Sequence, residues 1–177
     1  MMFRTFVLFL ILFFLSLAIF LPEEAKTQIL EQTFTENLAD FKISTPNHNW
    51  YFVPRTAVPG PLRATIRFKF PVNKFVPNTT VQVAALPKKN VNLEKWVQES
   101  LSGLPPQVEV QKKKKINHKG VAGYEVRILD PKSETTFLQR SFFDKGKSFV
   151  ITCTAKTSSF PRFEEEFKMI LNSFEIK

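Results

Sequence analysis

Two histidines and one cysteine are the only imidazole and thiol groups in the chain. His48 and His118 fall in polar, turn-like stretches, and Cys153 sits in mid-run between apolar neighbours. No Cys/His spacing therefore matches a zinc site. As a nucleophile, Cys153 would need exposure and a basic partner; its setting fits a small core residue instead. Alone, it forms no internal disulfide. The carboxylates are dispersed, and their one cluster, Glu164, Glu165 and Glu166, occupies consecutive helix positions. Consecutive carboxylates point to different sides of a helix, so these do not chelate one calcium ion. Asp130 and Asp144 read as turn-formers. The five glycines are scattered singly, which leaves no phosphate-cradling loop, and no serine lies in a nucleophile-elbow pattern. The expectation is a protein that is not an enzyme and holds no cofactor or metal. The enzyme alternative needs titratable groups converging in a cleft, and the set that folding could assemble is Glu125, Arg127 and Arg140.

Cations remain. The formal net charge is +9, and lysine dominates it. Such a chain suits nucleic acid, anionic lipid or an acidic protein. The Arg-rich, Gly-rich and aromatic signatures of nucleic-acid modules are missing, so no nucleic-acid partner is expected. Two concentrations stand out. Arg63, Arg67 and Lys69 alternate with apolar residues along 63–70, a strand pattern with one face wet or lightly covered. Lys112, Lys113, Lys114 and Lys115 form a run within 108–116. Four like charges in a strand guard a sheet edge against pairing. They also suit contact with an acidic protein or an anionic lipid surface, each lysine near a membrane contributing about 1 kcal/mol.

The elements that must position these groups are clearest at the C-terminal end. Runs 135–143 and 147–155 predict a hairpin joined by Asp144-Lys145-Gly146, with Gly in the left-handed position. Phe149, Ile151, Cys153 and Ala155 share one strand face; Thr152 and Thr154 take the other. A helix then starts at Ser158 or Ser159, with Phe160, Phe163, Phe167, Ile170, Leu171 and Phe174 in one stripe. Pro161 suits its first turn, and the three glutamates suit the positive end of the helix dipole. Upstream, short strands are expected over 41–44 and 49–53, with Trp50 in the core and its indole N–H paired. Pro59-Gly60-Pro61 reads as a loop and 80–86 as a strand. A helix capped by Asn92 runs to Leu101 or Leu104 with Leu93, Trp96, Val97, Leu101 and Leu104 in a stripe, stopped by Gly103 and Pro105-Pro106. After the lysine run come a turn at Asn117-His118-Lys119-Gly120 and a strand over 121–129. In that strand Tyr124, Val126 and Ile128 oppose Glu125, Arg127 and Leu129. Twenty phenylalanines against two tyrosines and two tryptophans supply burial without hydrogen-bond demands.

Residues 1–25 read as a targeting segment: Arg4, an apolar run over 6–21 broken only by Ser16, then Pro22-Glu23-Glu24. The run suits an uncleaved membrane anchor, because no small-x-small cleavage pattern follows; a cleaved signal peptide is the other reading. Arg4 ahead of the run puts the domain on the extracytoplasmic side, held to the membrane through residues 6–21. Residues 26–40 read as a linker or helical stalk, and 41–177 as one domain.

Phe41-Lys42-Ile43-Ser44-Thr45-Pro46 with Asn49-Trp50, the helix at Asn92-Leu93-Glu94-Lys95-Trp96, Gly123-Tyr124-Glu125-Val126, the strand over 147–155 and the closing Ser173-Phe174 together resemble the PsbP-like superfamily. That group includes extrinsic photosystem II proteins of the PsbP type and DcrB-type envelope lipoproteins. The resemblance spans 41–176. It implies an α+β fold in which helices flank a twisted antiparallel sheet, an α/β/α sandwich; the apolar run over 6–21 adds an N-terminal apolar helix ahead of it. It also implies non-catalytic work: stabilising a membrane complex or assisting an envelope process. No functional residue carries over, and the anchor cysteine of the lipoprotein members is absent. A small-ligand or lipid-binding envelope protein, with a Phe-lined cavity of at least about 300 Å³ between sheet and helices, is the alternative.

Overall fold

The computed structural model describes residues 32–54, 62–86 and 91–177. The expected leader (1–25), the start of the expected stalk and the Pro59-Gly60-Pro61 loop lie outside the described residues. Among the described residues no helix is long and apolar enough to cross a membrane.

The fold class is α+β, with antiparallel strands arranged as two sheets. The larger sheet has the order β3(Trp50–Phe52), β4(Leu62–Phe68), β5(Asn78–Ala85), β9(Lys147–Lys156), β8(Thr135–Asp144), β7(Val121–Asp130), β6(Glu109–His118). The smaller one places β2(Phe41–Ser44) between β1(Thr33–Glu36) and β10(Glu175–Ile176). Strand β1 falls within the stretch read as linker or stalk, so regular structure begins before residue 41. One sheet was expected. The second is closed by β10, whose two residues are too few to show an alternating pattern in the sequence.

The C-terminal helix α2(Phe160–Ser173) buries Phe160, Phe163, Phe167, Ile170 and Leu171, the expected stripe. Trp50 is fully buried beneath it, with ring centroids 5.6 Å from Phe167, 6.0 Å from Phe163 and 5.3 Å from Phe68. Its indole N–H donates to Glu166 at 3.1 Å, so burying the ring leaves no orphaned donor. At the other end of α2, the Ser173 hydroxyl accepts from the Ser44 amide at 2.9 Å, tying the helix to β2. Phe174 then drops among Phe41, Phe142 and Phe149 at 5.6–5.9 Å. The Ser173-Phe174 ending is thus a polar tie followed by an aromatic anchor.

Helix α1(Leu93–Ser102) starts as expected: the Asn92 side chain accepts from the Lys95 amide at 3.0 Å. Its Val97, with Leu93, Trp96 and Leu101, packs on Tyr124, Val126 and Ile128 of β7.

Several local expectations change. The β8–β9 and β6–β7 hairpins turn on two residues, not three or four. Asp144 pairs Lys147 and His118 pairs Val121, with Lys145-Gly146 and Lys119-Gly120 all at positive φ. Positive φ at both central residues matches the right-handed strand twist, which ordinary type I or II turns would splay. Ser159 occupies the N-cap position of α2, but its hydroxyl donates back to the Lys156 carbonyl instead of capping. Glu164, Glu165 and Glu166 lie beyond the first turn of α2, so side-chain partners fix them, not the dipole. Strand β4 ends at Phe68, which leaves Lys69 and Phe70 outside the alternation, with Phe70 exposed.

Candidate electrostatic contact surface

The structure separates the two cationic rows. Arg63 and Arg67 stand half-buried on β4, and Lys69 follows the strand in the open. The face they share is not wet: Thr65, Thr80 and Thr152, consecutive across β4, β5 and β9, are buried. None of the three cations forms an ion pair among the described residues. The Arg63 Nε is buried with no hydrogen-bond partner among them.

Strand β6 is the outer strand of the large sheet, as a lysine-bearing edge was expected to be. All four lysines are exposed, and strand geometry sends them to two sides. Lys113 and Lys115 flank the Tyr124 ring, each ammonium 5.9 Å from its centroid. Lys113 donates to Gln98 at 2.9 Å, and Lys115 pairs with Glu94 of α1 at 2.9 Å. The Lys115 ammonium holds the Glu94 carboxyl below its usual range, and Lys115 is itself raised by that contact. Lys114 turns to the other side and pairs with Glu125 at 2.8 Å. Lys112 has no ion pair among the described residues. Lys114 and Lys115 keep 47% and 70% of their side chains exposed, so pairing does not withdraw them from a partner.

Of the residues considered for an enzyme, Glu125 and Arg140 do meet, at 2.8 Å. Burial pushes the Glu125 carboxyl up, but Lys114 and Arg140 outweigh burial and hold it below its usual range. Arg140 also donates to Asn172 of α2 at 2.9 Å. Arg127 turns instead to Glu164 of α2, which Lys168 shares at 3.3 Å. This is a saturated ionic seam between β7, β8 and α2, with each carboxylate held ionised by cations. A general acid or base needs a pKa near working pH, and this seam offers none.

Sequence reasoning missed one recess. A cleft of 340 Å³ opens beside the β6–β7 turn, lined by His118, Lys119, Val121, Phe142, Phe174, Glu175 and Ile176. His118 Nε2 lies 2.7 Å from the Phe174 carbonyl, an acceptor, so that nitrogen carries the proton. Glu175 sits between Lys42 and Lys119, at 3.1 and 3.2 Å, and is held low by them. The lining mixes charge with aromatic floor, and the cleft lies at the sheet end, not between sheet and helices. The signal available was small: His118 and Phe174 are 56 residues apart in sequence.

Cys153 is fully buried, and burial pushes its thiol up to about 12. Thr79 donates to its Sγ at 3.2 Å. It is a core residue, as its setting suggested. His48 is exposed in the turn before Trp50. Asp130 accepts from the Lys132 amide and the Ser133 hydroxyl, the turn-forming role expected of it.

The same architecture occurs in solved proteins. The cyanobacterial PsbP (CyanoP) of Synechocystis superposes with a TM-score of 0.61 at 14% identity, over 90% of this chain and 99% of that one. The chain has a PsbP-like fold. LpqN of Mycobacterium tuberculosis, a protein involved in cell envelope biogenesis, gives a TM-score of 0.62 at 13% identity over 85% of this chain and 92% of that one. PA94 of Pseudomonas aeruginosa, of unknown function and a putative regulator by its description, gives 0.53 at 14% identity over 83% and 97%. No protein-family model and no curated protein matches the sequence. The PsbP-like resemblance drawn from scattered residues is thereby supported at the level of fold.

Proposed function

We propose that this chain is a non-catalytic accessory protein of the extracytoplasmic side, held to a membrane through residues 6–21, that works by presenting cations to an acidic partner. The fold is read as a layered α/β/α sandwich, α1 and α2 taking alternate residues of β7, so that β6 projects at the rim. The observation that carries the proposal is the state of β6. Its lysines stay exposed while Glu94 and Glu125 answer only two of them, which leaves Lys112 and Lys113 without a carboxylate among the described residues. Likeness to CyanoP and LpqN supports an envelope or membrane-complex setting, since the first is a PsbP and the second is described as acting in envelope biogenesis. The saturated ionic seam supports a non-catalytic reading.

The test is salt-resolved association in native membranes. Full-length protein is cross-linked in cells, and its complexes are separated by blue-native electrophoresis after washes of rising salt. The expected result is a complex released by salt and lost when Arg63, Arg67, Lys69 and Lys112–Lys115 are all changed to glutamine. A complex that survives both treatments overturns the proposal.

The cleft beside Phe142 supports a second reading, binding of a small ligand or lipid, because its volume exceeds the about 300 Å³ such sites start from. A fluorescent fatty acid displaced by Phe174→Trp but unaffected by Lys112→Gln would favour it.

A further inference from the structure

We propose that β6 is a strand-addition site: an extended acidic segment of a partner protein docks edgewise along Lys112–His118 and extends the seven-stranded sheet. This rests on the contact-surface reading above and names the partner's form. Three observations carry it. First, among the described residues β6 has β7 as its only neighbour in the sheet, so its outer side carries backbone donors and acceptors that no described strand meets. Second, its pairing with β7 runs unbroken from Lys112 to His118 and slips only between Val110 and Lys112. That leaves a regular stretch long enough for a docked strand, closed at one end by an irregularity. Third, the lysines divide between two sides. Lys113 and Lys115 stand with Tyr124 and α1; Lys114 stands with Glu125, and Lys112 shares its side. A flat lipid surface laid on either side reaches one pair. A strand added at the edge lies between both pairs and meets them with consecutive carboxylates, because its own side chains alternate as theirs do.

Lysines on an edge repel ordinary strands. An acidic strand is the exception, so the same residues that prevent aggregation select the partner. Val110, exposed just before the slip, offers an apolar contact to a residue flanking the acidic stretch.

The probe is a capped peptide of four central glutamates flanked by valines and threonines, titrated onto the full chain in detergent. A second peptide of the same sequence carries N-methyl groups on every residue of its central stretch, so that neither edge keeps its amide donors. It has identical charge but cannot pair as a strand. Amide hydrogen exchange reads the site. The expected result is protection confined to residues 112–118 by the first peptide, none by the methylated one, and affinity lower by on the order of tenfold in K112Q/K113Q. Equal binding of the methylated peptide overturns strand addition while leaving the charged-surface reading standing. Protection elsewhere on the chain also overturns it. So does binding to phosphatidylglycerol vesicles without binding to the first peptide. Failure of both peptides, together with a salt-resistant native complex, removes both readings.

Discussion

Gly123→Ala is expected to loosen the C-terminal half of the molecule, and the structure says by how much. A Cβ at residue 123 would sit 2.5 Å from two ring carbons of Phe142 and 2.8 Å from the Ser141 carbonyl oxygen. Ordinary carbon contacts lie near 3.5–4.0 Å, so the ring must retreat by roughly 1 Å. It has nowhere to go. Phe142 is 1% exposed, stacked on Phe174 at 5.9 Å and 13°, and faces His118 at 5.6 Å. The backbone oxygen cannot be cleared by changing a rotamer. Overpacking of this kind costs about 1–3 kcal/mol, while replacing glycine recovers about 0.4–1 kcal/mol through the unfolded chain. The net loss is about 1–2 kcal/mol, or a fall in Tm of roughly 2–8 °C for a chain of this size. Thermal and urea unfolding of the full chain in detergent measures it. Phe142→Leu in the same background should return part of the loss, giving a favourable coupling in the double-mutant cycle. Gly146→Ala is the control: at φ +73 with nothing within 4 Å, it pays only for backbone conformation, about 1–2 kcal/mol, and Phe142→Leu does not rescue it. If Gly123→Ala is neutral or stabilising, or if the Phe142 substitution adds independently, the steric argument is wrong.

Other expectations follow from particular partners. Glu166→Ala strands the buried Trp50 indole N–H and the Asn47 amide, and should cost about 1–3 kcal/mol with a shift in tryptophan fluorescence; Glu166→Gln should cost less. Cys153 should resist maleimide until the protein unfolds. Because its folded pKa is raised from 9.0 to about 12, stability should decline as pH climbs through that interval, and Cys153→Ala should remove part of the slope in alkaline unfolding. At the acid end the sign reverses. Glu125 is held low in the folded state, so its contribution is present above about 4.5 and lost as pH falls through its depressed value; Glu125→Gln should flatten acid unfolding there.

What could be read in the chain was what repeats. The stripe from Phe160 to Phe174, the alternation from Phe149 to Ala155 and the Asn92 cap are periodic or local signals, and each appears where spacing put it. What could not be read was set by distance. Glu166 looks like one of three surface acids until Trp50, 116 residues earlier, arrives beneath it. The small sheet needs Glu175 opposite Lys42, and the cleft needs Phe174 beside His118; no local pattern foretells either. The threonine face was misjudged for a related reason. Alternation marks which side a residue takes, not what covers that side, so the face of Arg63 and Arg67 read as wet or lightly covered, and Thr65 between them is buried.

The same distinction limits arguments from charge. Four consecutive lysines look like a single patch in a linear sequence. On a strand they become two pairs facing opposite ways, and each pair meets different chemistry. On one side Glu94 answers Lys115 while Lys113 turns to a neutral amide; on the other Glu125 serves Lys114 and Arg140 together. What a partner meets is the remainder after these pairings, strung along the rim instead of spread over a plane. A rim of alternating cations complements a ribbon better than a sheet of charge. On the proposed reading, the geometry of β6, more than the net charge of the chain, decides what kind of molecule docks there.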